Sequence, residues 1–385
     1  MDLKLFLDQV NHEVIVEGLP STSFQRSIFI NQDISYELEG IDIVLLGVTE
    51  LRGAGDYKGL TGPDQVRRHL YNMSKTSGQN RILDLGNLRN GPSAHDTMLR
   101  LKEVISFFLS KNKLPVIFGG SHDMDLGQYA AYETINKLIT WLNVDAKFDL
   151  DEESTADRSH LARIIRYDPN FLFNYIHLGY QSYYVFPEEL SLMEKLYFES
   201  YRIGEIKERL SEMEPVIRDA DAISFDLSAI QSHYSPATVS PNVFGLTGEE
   251  ACQLCWYGGL NDKLSSIGFY NYLPQNDSPD HRTASVLATM IWYFIEGYYH
   301  RKGDVNFLNN DYLVYEVSMD ENPESIRFFK SKLSEKWWME IPDEQGQSSV
   351  FLRNKMVPCS YSDYETASQG EVPERWLNAF AKINS

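Results

Sequence analysis

Three short segments bring together residue types that bind metals. GGSHD (119–123) offers His122 just after two glycines. DAKFD (145–149) offers Asp145 and Asp149, four apart, with Lys147 between them. SFDLS (224–228) offers Asp226. One imidazole and three carboxylates converging on a pocket make a site for a hard-to-borderline divalent ion of the manganese or magnesium type. Gly119 and Gly120 would let the chain turn tightly beside it. Taken singly, each residue reads as an ordinary loop or turn residue; the combination carries the chemistry. Lys147 stands where such a site would want another ligand.

The elements around these segments explain how they could meet. Apolar runs alternate with helix-period stretches. IDIVLLGV, RILDLG, KLPVIFGG, LITWLNVD, FNYIHLGY, DAISFDL and KLSSIGFYN read as strands. GPDQVRRHLYNM, DTMLRLKEVISFFLSKN, MDLGQYAAYETINK and a long segment over 281–300 read as helices, the first with Pro63 in its opening turn. That rhythm predicts an α/β fold, a mainly parallel sheet with helices on both faces, and functional groups at the carboxyl ends of the strands.

Two regions fall outside the rhythm: an N-terminal extension, 1–40, and an appendage, 304–385, packed on a main domain of 41–303. In the appendage DYLVYEVSM reads as a strand, PESIRFFKSKLSEKWW as an amphipathic helix, WMEIP and SVFLRN as short strands, and CSYSDYETASQGEVPERW as a polar loop or extended arm. Its apolar content is thin for its length, so it is expected as a structural cover rather than an independent fold. These extensions are also where a partner chain or a second copy would dock.

The net charge of −20 over 385 residues argues against a nucleic-acid partner and suits a cationic ligand or metal ions. The first residues, MDLKLFLDQVNHEVIVEG, lack the apolar centre of a signal peptide. The greasiest helix carries Glu296 and is too short to span a bilayer, so no membrane insertion is expected. Three cysteines are too few for a disulfide scaffold and fit the cytoplasm, and the lone Cys252/Cys255 pair has no second pair to complete a metal site.

In chain order the three segments resemble the signatures of the ureohydrolases, the arginase, agmatinase and formimidoylglutamase superfamily. SFDLSAIQSHYSPATVSP (224–241) aligns with the family's third signature without gaps. LTGPDQVRRHL, ILDLGNL, GLTGEEA and FYNYLPQNDSPDHRTA resemble further family segments, and the likeness runs over about residues 40–303. It implies the three-layer arginase-like fold. It also implies a pair of manganese ions that acidify water for attack on a guanidino or formimidoyl carbon.

Carried over residue by residue, the ligands of one ion are present: His122, Asp145, Asp149 and Asp226. The second ion shares Asp145 and Asp226, but its own histidine and aspartate positions hold Lys147 and Ser228. A charged lysine has no lone pair for a metal. Its ammonium is expected between Asp145 and Asp226, replacing the second cation. Gln231 and Val239 depart from the family pattern as well. Asp149 and His160 match catalytic positions, His160 as a proton-shuttling histidine, and Glu250 matches a glutamate that pairs with a cationic substrate group. His233 shares the loop of Ser228 and reads as a plain loop histidine, against the alternative of an added ligand.

The resemblance therefore implies one manganese ion or none, and no two-metal centre. Two functional readings follow: a ureohydrolase-fold protein that acts by binding or assembly, or a C–N hydrolase that works with a single ion on a small guanidino or formimidoyl compound.

Overall fold

The computed structural model describes residues 2–31, 38–55, 62–135, 137–151, 153–304, 307, 311–319, 323–342 and 355–384. Each core strand buries both of its faces. In β3 (Ile43–Gly47; β1 and β2 are introduced below), Ile43 and Leu45 enter one apolar cluster while Val44 and Leu46 enter another. The pleat's two-residue period divides the strand between two layers. The first cluster is completed by helices Gly62–Asn72, Gly248–Leu260 and Arg282–Tyr298, through residues such as Leu70, Leu254 and Ile291. The second is completed by helix Ala94–Ser110 and by Tyr129 and Tyr132. This is the expected α/β architecture, with helices on both faces.

The remaining core strands are β4 (Ile82–Leu88), β5 (Leu114–Phe118), β6 (Ile139–Val144), β7 (Leu172–Tyr180), β8 (Glu199–Arg202), β9 (Ala222–Asp226) and β10 (Ser266–Tyr270). They lie in the order β4-β3-β5-β10-β9-β6-β7-β8, all parallel. Two short strands from the described part of the first forty residues also join the sheet. β1 (Leu7–Asp8) runs antiparallel to β4, and β2 (Phe29–Ile30) runs parallel to it. Two-residue strands carry no readable period, which is why the sequence shows that region only as an extension.

The C-terminal region departs from expectation. PESIRFFKSKLSEKWW is not a helix: it supplies β12 (Ser325–Ser331), a turn, and the start of β13 (Trp337–Glu340). With β11 (Tyr312–Ser318) and β14 (Met356–Cys359) they make a four-stranded antiparallel sheet. Ile326 and Phe328 face inward and Arg327 outward, the period of a strand; Ile326, Phe329, Leu333 and Trp337 together imitate helical spacing. The CSYSDYETASQGEVPERW stretch is not a loop either. It forms helix Tyr361–Ser368, capped by Ser360 and Asp363, and opens helix Glu374–Asn384 after Pro373. SVFLRN lies outside the described residues. Ile326, Phe328, Trp337, Met339, Cys359 and Trp376 belong to a third buried cluster, so this region carries a core of its own.

The small sheet meets the large one at the amino-terminal ends of the core strands. Arg218, just before β9, donates to the carbonyls of Trp337 (3.0 Å) and Cys359 (3.1 Å). Asp262, just before β10, accepts from the backbone of Gly303 and Asp304. The described residues of 304–384 that form the small sheet therefore stand at the opposite end of the large sheet from the carboxyl-end segments that carry His122, Asp145 and Asp226. Among the described residues no helix is long and apolar enough to cross a membrane.

Candidate metal centre

Parallel strands bring their carboxyl ends to one edge, and the three segments meet there. β5 leads through Gly119 (φ +90°) and Gly120 (φ +80°) into His122. Both glycines are required. A Cβ on Gly119 would lie 2.4 Å from the Val48 carbonyl oxygen, and one on Gly120 would lie 2.8 Å from the Val48 side chain. β6 ends at Val144 and delivers Asp145; β9 ends on Asp226. Asp149 sits at φ +53°, a left-handed conformation that aspartate tolerates better than most residues.

His122, Asp145, Asp149 and His160 offer ligand atoms that all lie within 4.8 Å of one another. His122 Nδ1 is 3.3 Å from Asp145 Oδ2 and 3.8 Å from Asp149 Oδ2; His160 Nε2 is 3.3 Å from Asp149 Oδ2. His122 Nδ1, Asp145 Oδ2 and His160 Nε2 are buried and find no hydrogen-bond partner among the described residues. Orphaned buried donors and acceptors of this kind are costly unless something binds them. The set fits a divalent cation. His160, whose spacing in the sequence is loose, lies inside this cluster and is 1% exposed.

Asp226 is placed differently. Its Oδ2 lies 3.1 Å from His122 Nδ1, but both oxygens already accept hydrogen bonds. Ser228 N–H donates to Oδ1 (2.6 Å), and the Asn271 amide donates to Oδ2 (2.6 Å). Asp145 Oδ1 is likewise filled, by the N–H groups of Ala146 and Lys147 and by the Ser228 hydroxyl at 3.2 Å. The Lys147 ammonium does not stand between Asp145 and Asp226. It lies over the Tyr184 ring, 5.0 Å from the centroid. The Ser228 hydroxyl and N–H take Asp145 Oδ1 and Asp226 Oδ1, and the ammonium is turned to the aromatic ring instead.

Glu250 closes the first turn of helix Gly248–Leu260. Its carboxylate accepts from Thr247 N–H (2.7 Å) and pairs with Lys207 (3.0 Å). His233 is exposed, edge-on to Tyr234, and apart from the cluster. Cys252 and Cys255 are buried, free thiols.

Two residues missed in the sequence complete the arrangement. Asp125 is buried, with Oδ2 2.8 Å from His160 Nδ1 and 3.7 Å from His122 Nε2. The His160 contact is close but bent, an electrostatic contact more than a hydrogen bond. Ser224 lies 2.9 Å from His122 Nε2 and donates to Asp125 Oδ2 at 3.2 Å. Ser224 was visible in the SFDLS segment, and Asp125 three residues past His122. Burial pushes His122 down, but Asp145 and Asp226 outweigh it and hold its pKa well above the ordinary value. Burial opposes protonation of His160 too, yet Asp125 and Asp149 lift it to about 9. Burial and Asp149 raise Asp145. The cluster is short of positive charge, the deficit a cation would supply.

A family profile described as the arginase family matches residues 41–296. A formimidoylglutamase of Staphylococcus haemolyticus is 24% identical over 290 residues, covering 71% of this chain and 92% of the relative. Among solved structures, the formiminoglutamase of Trypanosoma cruzi with manganese superposes with a TM-score of 0.65 at 16% identity, over 73% of this chain and 99% of that one. The formimidoylglutamase of Bacillus subtilis gives 0.64 at 18% identity, over 78% and 98%. With the family match running from the first core strand into the last core helix, the chain belongs to the arginase family.

Proposed function

We propose that this chain is a ureohydrolase-fold protein that holds one divalent cation at the strand tips and has given up the two-ion reaction, acting by binding a small amidine-type ligand. One observation carries the reading. Ser228 donates through its hydroxyl to Asp145 and through its N–H to Asp226, the two carboxylates that a second ion would have to share. Lys147 supplies no ligand atom in place of a histidine. Relatives named formimidoylglutamase make a formimidoyl or guanidino compound the ligand class of choice. Three buried free cysteines suit a reducing compartment such as the cytoplasm.

A second reading, hydrolysis with one ion, is favoured by the unpartnered nitrogens of His122 and His160 and by Asp145 Oδ2. When bound, a single cation acts as a Lewis acid and lowers the pKa of water. The chain's own contribution is to exclude bulk water around a buried cluster and to keep His160 between Asp125 and Asp149.

The test is metal content of protein purified with manganese, together with ammonia, urea or formamide release across guanidino and formimidoyl compounds. One ion per chain without turnover is expected. Turnover that disappears in His122→Ala replaces the binding reading with the hydrolytic one; absence of metal together with absence of turnover overturns both, since each holds one ion.

A further inference from the structure

Both buried imidazoles of the cluster point one nitrogen at the same small volume and turn the other toward the same carboxylate. His122 presents Nδ1 to Asp145 and Asp149, and its Nε2 reaches Asp125 through the Ser224 hydroxyl. His160 presents Nε2 to Asp149, and its Nδ1 faces Asp125 directly at 2.8 Å. An outer carboxylate that backs a metal-bound histidine orients the ring, and where a hydrogen bond links them, as through Ser224 to His122, it also fixes the tautomer. A proton carrier must exchange with solvent or substrate. His160 is 1% exposed and has carboxylates at both ring nitrogens, which is the setting of a ligand.

The spacing agrees. Metal bonds of about 2.0–2.2 Å in tetrahedral array separate ligand atoms by about 3.3–3.6 Å. Two of the cluster's contacts, 3.3 Å each, lie at the short end of that range, and the third, 3.8 Å, lies just beyond its long end.

We infer that His160 is a metal ligand, that the centre is a mononuclear site of two imidazoles (His122, His160) and two carboxylates (Asp145, Asp149), and that Asp125 is the positioning residue shared by both histidines. The inference rests on the one-ion reading above and deepens it. A second nitrogen in place of a carboxylate moves the site away from hard manganese and magnesium, toward cobalt, zinc or ferrous iron.

The probe is Co2+ added to the full-length, metal-stripped chain. Wild-type protein is expected to bind one equivalent, with two imidazoles per cobalt by X-ray absorption, and to prefer Co2+ over Mn2+. Asp125→Asn is expected to keep both imidazoles while weakening Co2+ by roughly 10–100-fold. His160→Ala is expected to weaken it at least as much, to leave one imidazole, and to lower the Co2+ over Mn2+ preference. Wild-type protein with one cobalt and a single imidazole overturns this inference and leaves the one-ion reading standing. Wild-type protein that binds no cobalt, or two, overturns both. The imidazole count on the wild type needs no variant, so a misfolded His160→Ala does not blunt the test.

Discussion

The Ser228 hydroxyl donates to Asp145 Oδ1 across 3.2 Å, and the Ser228 N–H donates to Asp226 Oδ1 across 2.6 Å. One neutral residue thus links two carboxylates that the family resemblance assigns to both ions. Replacing Ser228 with aspartate removes the hydroxyl donor and adds a fourth carboxylate to Asp145, Asp149 and Asp226. Like charges at this distance cannot all stay ionised without a cation among them. The Ser228→Asp, Lys147→His double variant is expected to raise Mn2+ content, measured by elemental analysis, from one to two ions per chain. A content that stays at one would show that backbone placement, and not the two substituted side chains, sets the stoichiometry.

Arg67 is fully buried and acts as a structural hub. Its guanidinium donates to Asp84 through Nε (2.9 Å) and Nη2 (2.9 Å), to Asp64 (3.1 Å) and to the Gly86 carbonyl (2.8 Å). Tyr71 adds a donor to Asp84 at 2.8 Å. Truncation strands the Asp84 charge in the core. Arg67→Ala is expected to cost about 3–5 kcal/mol in urea unfolding. Neighbouring Arg68, exposed and 3.8 Å from Glu13, is expected to cost under about 0.5 kcal/mol on the same change. Equal losses at the two positions would contradict the burial argument.

How much of this the sequence displayed depends on period and on chain distance. Strand β3 is legible because four apolar residues in a row, Ile43 to Leu46, closed by Gly47, suit a short strand buried on both faces. His122, Asp145 and Asp226 were legible because parallel topology sends every strand tip to one edge. Asp125 was not: its partner His160 lies 35 positions onward, and only the folded chain brings the rings of His122 and His160 to 3.9 Å between centroids. Lys147 reads in the sequence as a charge between Asp145 and Asp226, whereas the structure turns its ammonium to the Tyr184 ring, a contact 37 positions away that no motif marks. The small C-terminal sheet reads as a helix in the sequence because Ile326, Phe329, Leu333 and Trp337 fall at intervals of three and four across what is a strand, a turn and the start of a second strand.

Glu50 gives the pH dependence of the segment before the cluster. It is buried and accepts from Arg52 Nε (2.8 Å) and Thr97 Oγ1 (2.7 Å), while its carbonyl accepts from Ser121 N–H (2.7 Å), next to His122. Burial raises its pKa, but the Arg52 and Thr97 bonds more than reverse that and leave it below 4.5. A carboxylate held lower in the folded chain than in the unfolded one stabilises fully above the unfolded value and loses that contribution as pH falls through the folded one. The unfolding free-energy gap between wild type and Glu50→Gln is expected to be constant from about pH 7 to pH 5 and to shrink below about 4.5. A gap that widens on acidification would reverse the sign.

Arg218 tests the separation of the C-terminal sheet from the metal centre. It is buried and donates to Trp337 O and Cys359 O, pairs with Glu214 (3.2 Å), and stacks on Trp338, its guanidinium 4.3 Å from the ring centroid. Hydrogen bonds from a charged donor are worth about 1.5–3 kcal/mol each, so Arg218→Ala is expected to loosen β13 and β14 strongly. Arg218→Lys keeps the charge without the planar fork and is expected to fall between. Glu214 is not stranded by either change, because Lys336 also reaches it at 3.1 Å. Hydrogen exchange should therefore report lost amide protection in Trp337–Glu340 and Met356–Cys359, while Co2+ affinity stays within about twofold of wild type, as expected of sites that do not touch. The reasoning is positional: every Arg218 contact lies at the amino-terminal ends of the strands and every ligand at the carboxyl ends. A cobalt affinity that falls with the loss of protection would mean that the small sheet supports the metal centre through the length of β9.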